Sequence, residues 1–381
     1  MSKKHKYIFS VLFAMLLVGC NTYKATQPKV VEIYKSPDER ATLEVIEESS
    51  AYNQQAVIGT KVALLIPLSG KDTKVGKNIF DATQQAVSDL KFSNLHIIPI
   101  DTTHSTHAIT ATLDAQRPDI IVGPVFARDV TRLYPYARKN NLCMIAFSND
   151  QSLTGQNCLM LLGIMPSANV NRVVDYARAR NFVDIRALLP RNRYGETVAQ
   201  SLSDVKTQYY WANGDIIKKS DVASAVASPS VNTALLIPEG GTSLANIAAE
   251  LGDNGKMVKL LGSGLWEEEK TFKNPAFNGA WYASVPGKNR EVFERKFARS
   301  FGYKPLKIAT LGYDAVALLS ALTAQTSKDK FTKTALVDPA GFMGIAGAFR
   351  FRHDGSNERL LSVYEITEGK AIEISPAPDH F

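Results

Sequence analysis

Regular apolar patterning begins near residue 60. Residues 62–66 form an uninterrupted apolar run, without the alternation of a half-exposed strand. An uninterrupted apolar run is typical of a parallel strand that is covered on both faces. A turn follows at residues 67–70, and apolar side chains then recur at helical spacing from residue 75 to residue 90. The pattern predicts a buried strand followed by an amphipathic helix.

The same alternation of a short apolar run and a helical segment continues to about residue 261. Predicted strands lie at residues 62–66, 95–100, 120–122, 144–146, 159–162, 185–189, 234–237 and 258–261. Predicted helices lie at residues 75–90, 108–116, 129–140, 166–181, 195–206 and 244–251. Strands that alternate with helices specify parallel sheets with right-handed crossovers.

The last third of the chain departs from this rhythm. Two helices are predicted in succession, at residues 291–301 and 308–326. Two strands, at residues 348–351 and 360–366, then flank an Asp-Gly pair at residues 354–355, which is a strong hairpin signal.

We therefore expect an α/β protein with two doubly wound parallel-sheet lobes and an interlaced chain. Lobe 1 is expected to comprise residues 60–165 and to be completed by residues 285–335. Lobe 2 is expected to comprise residues 166–284 and to be completed by residues 340–375. A chain of 381 residues is long enough for two such units.

The amino terminus has the features of an export signal. An apolar run at residues 7–18 follows three lysines and is too short to span a bilayer. It ends in Leu-Val-Gly followed by Cys20, which resembles the lipobox of bacterial lipoproteins. The resemblance implies removal of residues 1–19, diacylglycerol and acyl chains such as palmitate on Cys20, and a tether over residues 20–58. The alternative is an ordinary signal peptide whose last residue happens to be cysteine.

Cys143 and Cys158 are the remaining cysteines. Export would place them where a disulfide persists, and both precede predicted strands. A bridge between them is favoured over two buried free thiols. Histidines are not clustered around them, so a zinc site is not expected.

Charge and motifs narrow the class of function. The net charge is +7, and lysine and arginine are scattered without a basic stripe, so nucleic acid is not an expected partner. The sequence has no P-loop, no His-Glu-x-x-His motif and no Gly-x-Ser-x-Gly elbow. Asp101, His104 and His107 have the spacing of metal ligands, but polar loop chemistry explains them better. We predict no enzyme, no cofactor and no metal.

Several short segments resemble type I periplasmic-binding proteins, including branched-chain amino-acid receptors of ABC importers. The resemblance spans roughly residues 60–370 and rests on residues 61–70, Gly76, Ala82, and residues 121–124, 146–150, 189–190 and 194–195. Within that superfamily, residues 101–102, 122–125 and 147–150 most resemble lipoproteins that activate penicillin-binding proteins.

This resemblance implies a non-catalytic, periplasm-facing lipoprotein that binds a peptidoglycan synthase. Asn21 follows Cys20 where an Asp commonly retains lipoproteins in the inner membrane, so the outer membrane is the expected location. The alternative is a substrate-binding protein of an ABC importer for amino acids or other small polar solutes.

A cleft between the lobes is expected at the carboxyl ends of the strands. The residues expected near its mouth are Ser69, Gly70, Gly123, Pro124, Ser148, Asn149, Tyr194, Glu239, Gly240 and Trp266. They can be interpreted as a clamp on a small polar ligand, with Tyr194 or Trp266 stacking on a ring. They can equally be turn residues and packing residues.

The cleft sequence departs from that of the amino-acid receptors. The receptors bind the ligand carboxylate with hydroxyl groups, whereas residues 125–127 here read Val-Phe-Ala. The loop expected to carry the acid for the ammonium reads Gly-Ser-Gly-Leu-Trp at residues 262–266, and Glu267–Glu269 follow as a charge run typical of a solvated helix start. An unpaired ammonium in a dry cleft is unfavourable, so free amino acids are not the expected ligand.

Overall fold

The computed structural model describes residues 59–92, 94–214, 216–324 and 330–381. The predicted signal peptide, Cys20 and the whole of the predicted tether, residues 20–58, lie outside these residues. Within the described ranges, no helix combines the length and the apolar character that crossing a bilayer requires.

The described residues contain fifteen strands and eleven α-helices. The strands are β1 (Thr60–Ile66), β2 (Leu95–Asp101), β3 (Ile120–Val122), β4 (Met144–Ala146), β5 (Leu159–Leu161), β6 (Asp184–Leu189), β7 (Thr207–Trp211), β8 (Thr233–Leu236), β9 (Lys259–Gly262), β10 (Trp281–Ser284), β11 (Phe342–Gly344), β12 (Gly347–Phe351), β13 (Asn357–Arg359), β14 (Ser362–Thr367) and β15 (Lys370–Ser375). The helices are α1 (Thr73–Asp89), α2 (Thr106–Gln116), α3 (Ala127–Lys139), α4 (Pro166–Ala179), α5 (Arg193–Ser201), α6 (Lys219–Ala225), α7 (Gly241–Leu251), α8 (Glu269–Phe272), α9 (Gly287–Phe301), α10 (Ala309–Ala324) and α11 (Lys333–Leu336).

Lobe 1 is built on a five-stranded parallel sheet with the order β2-β1-β3-β4-β5. Helices α1, α2 and α3 make the first three connections. Leu64 and Ile66 enter one hydrophobic core, and Ala63 and Leu65 enter another. Because both faces of β1 are covered, its sequence is apolar without interruption.

Lobe 2 is built on a seven-stranded sheet with the order β15-β14-β10-β9-β8-β6-β7. Strands β6 to β10 are parallel, and β14 and β15 are antiparallel additions at one edge. Helices α9 and α10 follow β10, and their side chains Phe293, Phe297 and Leu311 enter the lobe 1 core with α1 residue Ile79. The chain therefore passes from lobe 1 to lobe 2, back to lobe 1, and finally to lobe 2 again.

The third sheet differs from the sequence-based expectation. Strand β12 pairs with β13, not with a strand at residues 360–366, and β11 pairs on the other side of β12. Phe342, Phe349 and Phe351 of this sheet enter the lobe 1 core. Assigning the whole of residues 340–375 to lobe 2 was therefore wrong for residues 342–359, whereas β14 and β15 do join lobe 2.

A buried ion pair explains this placement. Arg359 of β13 lies 2.9 Å from Asp314 of α10, and both side chains are fully buried. The backbone N–H groups of Ile345 and Ala346 also donate to Asp314. Burial raises the pKa of Asp314, while Arg359 and the two amides act in the opposite direction. The third sheet is thus fastened to a lobe 1 helix.

Cys143 and Cys158 form a disulfide with a Cα–Cα distance of 4.8 Å. They immediately precede β4 and β5, which pair in parallel from Met144 and Leu159 onward. The two residues therefore stand side by side at the start of neighbouring strands, and both lie in the lobe 1 core.

Candidate functional site

A cleft lies between the lobes, where loops at the carboxyl ends of strands from both sheets converge. It encloses a cavity of about 190 Å³. Polar and charged lining residues include Asn149, Asn169, Tyr194, Ser263, Glu267, Ser284, Arg290 and Lys307.

Glu267 is the centre of an ion cluster in this cleft. Its carboxylate accepts a hydrogen bond from Ser284 Oγ at 3.0 Å and from Arg290 Nη2. Lys307 Nζ lies 3.5 Å from the same carboxylate and donates to the carbonyl oxygens of Glu267 and Gly264, at 2.7 Å and 3.2 Å. The Glu267 and Arg290 side chains are only 10 % and 14 % exposed. Glu267 and Arg290 are therefore largely shielded from solvent, whereas the Lys307 side chain is half-exposed.

The cluster connects the two lobes. Glu267 follows β9 and belongs to lobe 2, whereas Arg290 lies in the first turn of α9 and Lys307 just before α10. A second bridge joins Asp150 of lobe 1 to Arg193 at the start of α5, at 3.2 Å. Direct ion pairs therefore join the lobes at two places, of which the pair at Arg193 is exposed to solvent and contributes little to stability.

The pKa values of the two cations in the cleft, Arg290 and Lys307, shift in opposite directions. Burial lowers the pKa of Arg290, but the carboxylates of Glu267 and Glu294 outweigh it and hold the pKa above its ordinary value. Burial lowers the pKa of Lys307, and Glu267 only partly offsets it. Nε of Arg290 is buried without a hydrogen-bond partner among the described residues. Two cations thus contact the Glu267 carboxylate, and Arg290 also lies 3.8 Å from the carboxylate of Glu294.

The predicted lobe 1 residues have different surroundings. Asn149 lines the cavity, and buried Ser148 accepts a hydrogen bond from the backbone N–H of Asp150 at 3.2 Å. Gly123 has φ +90°, and an added Cβ would lie 2.1 Å from the carbonyl oxygen of Leu65. Gly123 and Pro124 are thus turn residues required by close backbone packing. They are not among the residues that line the cavity.

Ser69 and Gly70 belong to a loop that Asp101 fixes in place. The Asp101 carboxylate accepts hydrogen bonds from the backbone N–H groups of Leu68 and Thr103, at 2.9 Å and 3.0 Å. Burial acts to raise the Asp101 pKa, but these bonds and one from Ser69 lower it to about 2. Ser69 Oγ also contacts Thr103 Oγ1 at 2.6 Å. Among the described residues, no group of histidine, cysteine or carboxylate side chains is arranged to hold a metal.

Of the predicted lobe 2 residues Tyr194, Glu239 and Gly240, Tyr194 is among the residues that line the cavity and the other two are not. The Tyr194 hydroxyl lines the cavity and donates to the carbonyl oxygen of Pro238 at 2.9 Å. Burial raises the pKa of Tyr194 to about 12. Burial also raises the pKa of Glu239, which is half-buried, while a hydrogen bond with Ser243 opposes the shift. Gly240 begins α7 and packs against Leu265.

Trp266 does not face the cleft, so the interpretation that it stacks on a ligand is wrong and the alternative, a packing residue, agrees with the structure. Its side chain is fully buried in the lobe 2 core. Its Nε1 donates to the carbonyl oxygen of Ile237 at 3.0 Å, and its ring packs against Phe277. Gly262 leaves room for this ring, because a Cβ there would lie 2.1 Å from it. Trp266 is therefore a packing residue.

Sequence reasoning missed the charged centre of the site. Glu267 stands at the head of a Glu-Glu-Glu run that is typical of a solvated helix start. Arg290 and Lys307 lie in segments predicted to begin helices, with nothing local to indicate that they approach Glu267. The place of Glu267 in the sequence was the available indication, because it directly follows the loop after the predicted strand at residues 258–261, and the cleft is expected at the carboxyl ends of the strands.

Two interlaced α/β lobes with a cleft at the carboxyl ends of their strands define a type I periplasmic-binding-protein fold. Within that class, the chain belongs to the LppC putative lipoprotein family, whose model matches residues 35–252, more than half of the chain. The fold class and the family resemblance expected from the sequence are thereby confirmed.

Solved structures share this fold at low sequence identity. The LpoA (YraM) C-domain from Haemophilus influenzae, a regulator of PBP1A, matches with a TM-score of 0.67 and 18% identity, over 83% of this chain and 100% of that domain. Full-length LpoA from the same organism matches with a TM-score of 0.68 and 17% identity, over 83% of this chain and 59% of LpoA. A putative branched-chain amino acid ABC transporter from Rhodospirillum rubrum matches with a TM-score of 0.72 and 15% identity, over 83% of this chain and 100% of that protein.

A curated relative is the uncharacterized protein RP748 from Rickettsia prowazekii (strain Madrid E). It is 25% identical over 216 residues, which is 54% of this chain and 56% of RP748. The match thus spans little more than half of RP748, as the structural match spans little more than half of full-length LpoA.

Proposed function

We propose that this chain is a non-catalytic, lipid-anchored envelope protein that binds a peptidoglycan synthase of the penicillin-binding-protein class and raises its activity. The observation that carries the proposal is the fold shared with the whole LpoA C-domain, a regulator of PBP1A. Membership in a lipoprotein family supports the envelope location and the anchor.

The cleft favours a binding protein that does not depend on a solute. The carboxylate of Glu267, the group in the cleft that is suited to pair with a ligand ammonium, is already held by Arg290, Lys307 and Ser284. A solute that needs this carboxylate must first displace Arg290 and Lys307 from it, which costs about 2–3 kcal/mol because the Lys307 side chain is half-exposed. The lobes are thereby stabilised without a bound solute.

Activation then follows from differential binding. If the chain binds the active conformation of the synthase better than the inactive one, it shifts the population toward the active form. A tenfold difference in affinity between the two conformations corresponds to about 1.4 kcal/mol. The chain needs no catalytic group of its own for this effect.

The anchor is proposed at Cys20, after removal of residues 1–19, with residues 20–58 as the tether and the periplasmic face of the outer membrane as the location. Mass spectrometry of the protein purified from membranes tests the anchor. Acyl chains on an amino-terminal Cys20 are expected, and an unacylated protein in the soluble fraction would contradict this part of the proposal.

Binding to the synthase is the direct test of the function. The mature chain, immobilised on a sensor surface, is expected to bind the detergent-solubilised PBP1A of the same organism with saturation. Boiled chain serves as the control. Absence of saturable binding would remove the proposal.

The second candidate is a substrate-binding protein of an ABC importer. It is favoured by the cleft cavity and by the match to the Rhodospirillum rubrum protein. A thermal-shift screen with amino acids, peptides and muropeptides separates the two candidates. A compound that raises the melting temperature in proportion to the logarithm of its concentration would favour the importer protein.

A further inference from the structure

A second concave surface lies on lobe 2, at the end of the sheet opposite the cleft. It is a groove of about 670 Å³ formed by the segments that lead into β6, β8, β9 and β10. These strands are parallel, so their amino ends meet at one edge of the sheet. The groove is therefore separate from the cleft at the carboxyl ends.

The groove exposes apolar side chains. Val231 is 92 % exposed and Met257 is 58 % exposed, and both line the groove beside partly buried Phe182. Val183, the residue after Phe182, is also among the large exposed hydrophobic side chains. Isolated exposed apolar residues are ordinary, but a group around one concavity marks a surface that binds another molecule.

The groove also has a net positive charge. Asp253 and Lys256 on its rim pair with each other at 2.7 Å. Lys259 donates to the carbonyl oxygen of Gly279 at 2.8 Å, and its ammonium lies 4.2 Å from the centre of the Trp281 ring. Burial lowers the pKa of Lys259, and Glu365 only partly offsets it. An added carboxylate near Lys259 would therefore be stabilising.

We propose that this groove is a docking surface for a segment of the peptidoglycan synthase that presents apolar side chains and one carboxylate. The inference rests on the proposed function and adds the place of contact and the chemistry of the partner. Apolar lining matches the apolar side chains, and Lys259 matches the carboxylate. Because the groove is remote from the cleft, docking does not require the lobes to separate.

Charge-introducing substitutions at exposed positions test the docking surface. Val231→Asp and Met257→Asp each place a carboxylate in the groove, and each is expected to weaken synthase binding by about tenfold or more. The matched controls are Val292→Asp in α9 and Met343→Asp in β11, whose side chains are 54 % and 62 % exposed. The controls are expected to bind within about twofold of the unaltered chain. Circular dichroism and melting temperature verify that all four variants fold.

The role of Lys259 is tested separately, through the salt dependence of synthase binding. Lys259→Gln is expected to weaken binding and to reduce its dependence on salt, because it removes the charge that attracts the partner carboxylate. Lys259→Arg keeps the charge and is expected to restore most of the salt dependence. Equal salt dependence in the unaltered chain and both variants would contradict the role of Lys259.

The outcomes separate this inference from the proposed function. If the unaltered chain fails to bind the synthase, the proposed function and the docking surface are both overturned. If it binds and Val231→Asp and Met257→Asp bind equally well, the docking surface alone is overturned. If the unaltered chain sediments as a dimer that Val231→Asp converts to a monomer, the groove is an interface between two copies and the synthase assignment is wrong.

Discussion

At the scale of single residues, three consecutive glutamates show how tertiary position sets the role of a charge. Glu267 is held in the cleft by Arg290 and Lys307, which come from the other lobe. Glu269 lies in an exposed pair with Lys273, four residues later on the same helix. An exposed pair of this kind contributes little to stability, whereas breaking a buried pair is costly.

We therefore predict that Glu267→Gln lowers the free energy of unfolding by about 2–3 kcal/mol, because it removes the carboxylate that Lys307 contacts and leaves Arg290 with Glu294, at 3.8 Å, as its remaining carboxylate among the described residues. The exposure of Lys307 keeps the loss below that of a fully buried pair. Glu269→Gln is the matched control, and no measurable change in the free energy of unfolding is expected, because its pair with Lys273 is exposed to solvent. Urea unfolding followed by circular dichroism measures both variants. Equal losses of unfolding free energy in the two variants would contradict a stabilising role of the ion cluster at Glu267.

The site residues were less predictable than the fold, and Trp266 and Glu267 show the reason. Aromatic character left two interpretations of Trp266 open, stacking on a ligand and packing, and its ring in fact fills space left by Gly262 inside lobe 2. Local composition suggested that Glu267 is solvated, but its partners come from segments much later in the chain. Long-range partners leave no local pattern, so they could not be inferred from spacing.

At the scale of elements, the small sheet β11-β12-β13 depends on the buried pair of Asp314 and Arg359. Nε and Nη2 of Arg359 are buried without hydrogen-bond partners among the described residues. Nη1 donates to Asp314 and to the carbonyl oxygen of Ala346. The arginine is thus satisfied mainly through its pair with Asp314.

Asp314→Asn is predicted to lower the free energy of unfolding by about 3–5 kcal/mol, because an unpaired guanidinium remains in the core. Adding Arg359→Met is expected to recover part of this loss. The control is Arg350→Met on the neighbouring strand, where the pair with Glu358 is partly exposed and the expected loss is below about 1 kcal/mol. Chemical denaturation measures all three variants. An Asp314→Asn variant with an unchanged free energy of unfolding would contradict the stabilising role of the Asp314–Arg359 ion pair.

The disulfide gives a second prediction at this scale. It joins residues 15 positions apart, and the loop-entropy relation assigns such a bridge about 3 kcal/mol. Replacing Cys143 and Cys158 with alanine is expected to remove this contribution. A reductant should lower the melting temperature of the unaltered chain but not of the double variant. An unaltered chain that is insensitive to reductant would argue that the thiols are free.

Element order was largely predictable because parallel strands buried on both faces are short unbroken apolar runs. Strands β1, β3, β4 and β8 follow this rule. Strand β7 was missed because its Thr-Gln-Tyr-Tyr-Trp sequence mixes polar and aromatic residues at a sheet edge. Strand β13, Asn-Glu-Arg, was missed because its burial depends on Asp314 of a different element.

At the scale of the whole molecule, lobe 2 has two concave surfaces with different properties, the cleft and the groove at the opposite end of its sheet. The cleft surface is closed by the chain's own ion pairs, at Glu267 and at Asp150–Arg193. The groove at the opposite end exposes Val231 and Met257. A protein arranged in this way is suited to bind a partner on its outer surface, with its lobes already held together.

The rate of glycan polymerisation by the synthase tests the central claim most directly. Purified PBP1A is assayed on lipid-linked disaccharide-pentapeptide with increasing amounts of the mature chain, and heat-denatured chain serves as the control. We predict that the rate rises and then saturates as the chain occupies the synthase. A rate that stays constant across the same range, with binding sites on the synthase filled, would contradict it.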